Sequence, residues 1–217
     1  MAYQMQQPVA RAATQPLLAQ VLGITAVGLC VTALSVIVFP TVPFGIGLFA
    51  LIGGLVLLFV MSAVQSNPGL ALLLFYVFAF LEGVGISPTI EHYLNLAGGP
   101  SIVFNAALTT GLGMFALAAI VYATGLDLRR FQGIFMIALL GLVVVGIVGI
   151  FLHFVSPTVY SWITLVIFTG FVLIDFARIR AGGDGVSPVM MAVSIYLDII
   201  NIFLALLQIF GGRRSND

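Results

Sequence analysis

The sequence predicts an all-α membrane protein built as a bundle of seven transmembrane helices. Composition is the first observation: of 217 residues, 62% are hydrophobic and only 6% charged, against roughly a quarter charged in soluble domains. Mean hydropathy is +1.26. Too few polar side chains exist to cover a water-facing surface. The second observation is length. Seven apolar stretches each supply the about 20 residues that a helix needs to cross a hydrocarbon core of about 30 Å. The third is punctuation, because each stretch is bounded by helix breakers or polar residues. Backbone polar groups find no water inside lipid, so segments of this length must be helices and not barrel strands.

The first two spans, 17–39 and 44–64, hold no ionisable group except Cys30 and are parted by Pro40 and Pro43. Asn67-Pro68-Gly69 introduces the third, 70–90, which contains Glu82 followed by Gly83, Gly85 and Pro88. Two glycines and a proline behind an acid predict a weakened or broken helix, common where cations bind in transporters; the other reading is a protonated Glu82 bonded to a neighbouring helix. Gly98-Gly99-Pro100 precedes the fourth span, 102–124, and the fifth covers 131–155. His153, near its end, reads as an interfacial residue. After Ser156-Pro157 comes the sixth, 159–180, with Asp175 near its close. Gly182-Gly183-Asp184-Gly185 then leads to the seventh, 186–210, with Asp198 near its middle. Residues 1–16 form a polar tail, 17–210 a single membrane domain, and 211–217 a short C-terminal tail. The first apolar run is longer than a signal peptide needs and no convincing cleavage site follows, so a retained first helix is expected.

The charges set further bounds. Seven arginines spread along the chain make no basic footprint for nucleic acid. One cysteine excludes an internal disulfide and any CxxC motif. With two histidines and no HExxH, a three-histidine or HExxH zinc hydrolase is excluded. Arg11, Arg129, Arg130, Arg178 and Arg180 fall on one side of a seven-span topology, which the positive-inside rule makes the cytosolic side together with the N-terminus. Arg213 and Arg214 fall on the other; a last span that dips in and returns would gather all seven.

Acids inside the membrane carry the functional signal, since each costs about 2.5–3.5 kcal/mol at a helix centre. In the last span Ser187, Met191, Ser194, Asp198, Asn201, Ala205 and Gln208 share one face. A polar seam like this belongs inside the bundle, either as an interhelical hydrogen-bonding seam or as a solute path or proton-sensing site. Asp175 stands three residues before Arg178, so a local ion pair is one reading. In the other, Asp175 approaches Asp198 across the short 181–187 connection. Two carboxylates about 4 Å apart at an effective dielectric near 20 repel by about 4 kcal/mol. Such a pair shares one proton and titrates as a unit, holding two helices together when protonated and pushing them apart when not. Helical rise leaves Asp198 about 7 Å deeper than Asp175 if the turn is symmetric. Glu82, Ser194 and Asn201 are further candidates for an ion pathway.

The run Ile195-Tyr196-Leu197-Asp198-Ile199-Ile200-Asn201-Ile202-Phe203 resembles the signature of the Bax-inhibitor family, the transmembrane Bax-inhibitor-motif proteins. The segment 78–88 around Glu82 and the Ile174-Asp175 pair agree in kind and order. The resemblance implies a last helix wrapped by the other six. It also implies a calcium leak governed by pH through an aspartate pair, carried over to Asp175 and Asp198. Family members are linked to suppression of cell death, and some bacterial ones to a membrane-bound AAA protease. The loop after the second span, 61–67, lacks the basic residues that many members have there, so a cationic partner for Asp175 must come from elsewhere, with Arg178 or Arg180 nearest.

Three functions follow as expectations. The first is a cation leak channel, with calcium met transiently by Asp175, Asp198 and Glu82, because a conducted ion must also leave. The second is an interaction protein that modulates a membrane-bound AAA protease or a stress response. The most distant is an intramembrane aspartyl protease, poorly matched because Ala181-Gly182-Gly183-Asp184 sits in a loop. No resident cofactor or enzymatic activity is expected, and short loops point to a bacterial cytoplasmic membrane.

Overall fold

The computed structural model describes residues 7–152 and 155–214; the expectations for His153 and for residues 1–6 and 215–217 lie outside them. Among the described residues there are seven α-helices and no strand: α1 (Gln7–Val38), α2 (Phe44–Ala63), α3 (Pro68–Leu94), α4 (Gly99–Thr124), α5 (Gln132–Leu152), α6 (Pro157–Arg180) and α7 (Pro188–Arg214). One 3-10 turn, Arg129–Phe131, precedes α5. All seven helices contain a stretch long and apolar enough to cross a membrane. The chain is an all-α membrane protein.

Two expectations about the helices change. The first helix begins at Gln7, inside the stretch expected as a polar tail, although its apolar span starts only at Pro16. Ala10, Ala12 and Ala13 favour helix, and Pro8 falls in the first turn, where its missing N–H costs nothing. The third helix is unbroken through Gly83, Gly85 and Pro88. Its glycines serve close packing instead. A Cβ on Gly83 would lie 2.6 Å from the Thr32 carbonyl oxygen and 2.8 Å from Ser35 Cβ on α1, and one on Gly85 would collide with Leu51 on α2.

The chain divides into two compact units, Met1–His92 with Ile179–Tyr196, and Tyr93–Arg178 with Leu197–Asp217. In the first, α1 is bonded to α3 by Thr32 Oγ1 donating to the Ala79 carbonyl at 2.9 Å and Ser35 Oγ to that of Phe80 at 2.8 Å. Tyr196 is buried against the edges of Phe75 and Phe78, with ring centroids 5.4 and 5.6 Å away. In the second unit the Phe135 ring of α5 fills the space beside Gly170 of α6. Ser161 Oγ donates to Gln208 Oε1 of α7 at 2.6 Å. At its edge Arg129 grips Asp127 at 2.7 Å, and Arg130 lies over the Phe131 ring.

Burial is uneven along the sequence. Of the most apolar window of each helix, 61% is buried in α7 and 56% in α6, but only 6% in α5. The seventh helix is buried on both faces: Ile195, Ile202, Leu206 and Ile209 are as enclosed as Met191, Asp198 and Ala205 of the polar seam. That matches the expectation of an interior last helix as far as burial goes. Phe44, Phe49 and Phe115, by contrast, stand more than three-quarters exposed, as lipid-facing side chains do.

Candidate functional site

Asp175 and Asp198 both belong to the second unit and are both 3% exposed. The sixth helix carries Asp175 five residues before its end and the seventh carries Asp198 ten after its start. The turn that reverses the chain between them uses four left-handed residues, Gly182, Gly183, Asp184 and Gly185. Three are glycines because a side chain is strained there, and Asp184 is of the type that tolerates this region best.

Asp175 has the partner expected for it. Arg178 Nη1 donates to Asp175 Oδ1 at 3.1 Å, one turn along the same helix. Nη2 of the same guanidinium donates to Gln132 Oε1 on α5 at 2.7 Å. The arginine thus bridges a carboxylate and an amide and ties α5 to α6. Gln132 escaped the sequence reading. Its one available signal was position, as the only polar residue in the described part of α5.

Asp198 is placed differently. Its Oδ2 is buried with no hydrogen-bond partner among the described residues. Two buried acids thus lie in the second unit, and one of them is paired with Arg178. An isolated buried ion is expensive, so a buried carboxylate is held neutral by a proton or paired with a cation. Arg178 is a cation beside Asp175 on its own helix.

The remaining candidates are divided between the two units. Asn201, one turn beyond Asp198, donates through Nδ2 to its own helix at the Leu197 carbonyl, 2.8 Å away. Glu82, Ser194 and Arg180 belong to the first unit, where Glu82 Oε2 would lie 3.8 Å from a Cβ on Gly54. Among the described residues no three His, Cys, Asp or Glu side chains gather as a metal-holding group. Calcium ligation by Glu82 and the two aspartates together thus has no preformed cluster behind it.

The family profile described as "Inhibitor of apoptosis-promoting Bax1" matches residues 14–215. The Escherichia coli inner membrane protein YbhL is 29% identical over 228 residues, which cover 94% of each chain. A Vibrio cholerae membrane protein is 29% identical over 164 residues, 75% of this chain and 72% of its own. A Streptococcus pyogenes membrane protein is 34% identical over 167 residues, 72% of this chain and 70% of its own.

Proposed function

Because this chain belongs to the Bax inhibitor family of membrane proteins, we propose that it is a pH-sensitive calcium leak pathway governed by Asp175 and Asp198. One observation carries the reading: two buried carboxylates lie in the same unit, Asp175 paired with Arg178, and one oxygen of Asp198 has no hydrogen-bond partner among the described residues. With both acids ionised, the Asp198 carboxylate holds its charge in a poorly solvated place. A proton neutralises it and lets α6 and α7 close together. Its loss restores repulsion between the helices and attraction for a cation. Calcium takes six to eight oxygen ligands. Two carboxylates supply at most four, and a site that binds weakly suits passage better than storage.

In this reading calcium is cargo, not cofactor, and the chain is not an enzyme. Asn201 is the next station after Asp198, while Glu82 and Ser194 serve a separate stretch of the path. The membrane is a bacterial cytoplasmic one, with the N-terminus and the Arg178 end of α6 on the cytosolic side, as the arginine distribution favours.

Calcium flux from proteoliposomes, resolved by pH, tests the proposal. Wild-type flux should change across the pH range in which the pair takes up its proton, and both Asp175→Asn and Asp198→Asn should flatten that dependence. An unaltered profile in both variants would sink the latch.

A second reading draws on α1, which extends as a helix ahead of its apolar span. Such an extension is a handle for a membrane-bound AAA protease or a stress-response partner. Deleting residues 1–15 should then abolish co-purification with the protease and leave flux intact.

A further inference from the structure

The second unit contains a hollow that neither aspartate lines. Between α5, α6 and α7 lies a pocket of about 200 Å³, bordered by apolar side chains and by the polar Tyr160, Ser161, Thr164, Asn201 and Gln208. Three of its borders, Val143, Tyr160 and Gln208, also line a wider cleft of about 650 Å³ that reaches Val155 and Pro157 at the start of α6. The two adjoining hollows, which share these walls, make up a recess near the start of α6. Gly146 helps to open it: a Cβ there would lie 2.6 Å from the Tyr160 hydroxyl.

Hydrogen-bond capacity says what fills the recess. Ser161 Oγ donates to Gln208 Oε1 at 2.6 Å, Thr164 Oγ1 to the Tyr160 carbonyl at 2.9 Å, and Tyr160 Oη to the Leu142 carbonyl at 3.3 Å. Asn201 uses Nδ2 alone. That leaves the amide N–H groups of Gln208, the carbonyl oxygen of Asn201 and hydroxyl lone pairs facing the hollow. Lipid tails cannot satisfy them, and at membrane depth each unmet group costs several kcal/mol. A single water needs only about 10–15 Å³ and two to four polar partners, so the hollow has room for several.

We propose that the second unit contains a water-filled half-channel that enters at the Pro157 end of α6 and stops at Asn201, one helical turn short of Asp198. From Gln208 to Asn201 it follows α7 for about 10 Å, a third of the hydrocarbon core. Phe168 is also on its wall. Water therefore comes within one turn of the buried acid from the end of α6 opposite Arg178. This goes beyond the calcium reading, because solvent access is measurable whether or not an ion is conducted.

The test uses the full chain in sealed proteoliposomes, in a Cys30→Ser background, with a cationic, membrane-impermeant methanethiosulfonate added. Ser161→Cys and Thr164→Cys face the recess, whereas Ile137→Cys and Phe115→Cys replace side chains 72% and 76% exposed on the apolar surface. Only thiolate reacts, and one unit of thiol pKa in a dry setting is a tenfold loss of thiolate. The recess cysteines should be modified at least about tenfold faster than the lipid-facing pair. Equal rates would overturn the half-channel. Radiolytic footprinting of the unsubstituted chain gives a second measure: Tyr160 should be oxidised faster than Tyr196, which is fully buried. Oxidation of Tyr160 no faster than Tyr196 would also overturn it.

Discussion

The Tyr196 hydroxyl donates its proton to Thr32, whose Oγ1 lies 2.5 Å away. The direction follows from counting. Thr32 has one hydroxyl proton, and the Ala79 and Gly28 carbonyls at 2.9 and 3.1 Å can be reached by nothing else of Thr32. Threonine thus gives to the backbone of α1 or α3 and accepts from tyrosine, and a helix pair closes around a ring from α7.

Tyr196→Phe keeps the ring between Phe75 and Phe78 and deletes only that donor. It should cost about 0.5–1.5 kcal/mol in reversible unfolding from mixed micelles. Tyr196→Ala should cost about 3–5 kcal/mol, because it also opens a cavity.

Arg178→Gln removes the cation beside Asp175 and the donor to Gln132 together. Breaking a buried pair from one side costs about 3–5 kcal/mol, and Arg178 is not wholly enclosed, so the loss at neutral pH should lie at the lower end. The sign with pH is fixed by the carboxylate: the pair stabilises only while Asp175 is ionised. The gap between wild type and variant should therefore narrow as pH falls, which a series of unfolding curves reads directly.

Glycines of α3 and α4 should answer differently to the same change. Gly83→Ala puts a methyl group into the Thr32 carbonyl and Ser35, an overpacking that costs about 1–3 kcal/mol. Gly111→Ala meets nothing within 4 Å and should gain up to about 1 kcal/mol from helix propensity. Equal effects at the two positions would contradict the close approach of α1 to α3.

Ser161→Ala and Gln208→Leu, alone and combined, measure the 2.6 Å contact between α6 and α7. Their coupling energy should be about 0.5–1.7 kcal/mol, the range for interhelical bonds in membranes.

The spans were legible because hydropathy and length report the solvent directly. The expected 44–64 and 102–124 differ from α2 and α4 by a few terminal residues. The Asp175–Arg178 pair was legible because both partners share one helix at a fixed spacing. Gln132 was not, since nothing in its own segment names Arg178 as partner. Thr32 and Tyr196 stayed hidden for the same reason. In lipid a protein-facing side is no more apolar than a lipid-facing one, so periodicity cannot say which helices touch. Gly83, Gly85 and Pro88 misled in another way: their residue types fit both a broken helix and a tight crossing, and only the neighbours Thr32 and Leu51 decide.

The left-handed turn at 182–185 also bears on how the protein is made. Asp175, Arg178 and Asp198 lie on consecutive helices joined by seven residues, so the loop-closure entropy of bringing them together is small. During synthesis α6 enters the bilayer first, with its arginine and acid already paired one turn apart. The last helix, which carries the most polar face of any span, follows on a short tether. Its aspartate then partitions beside a polar companion and not into bare hydrocarbon, so insertion of the final span is subsidised by the hairpin it completes.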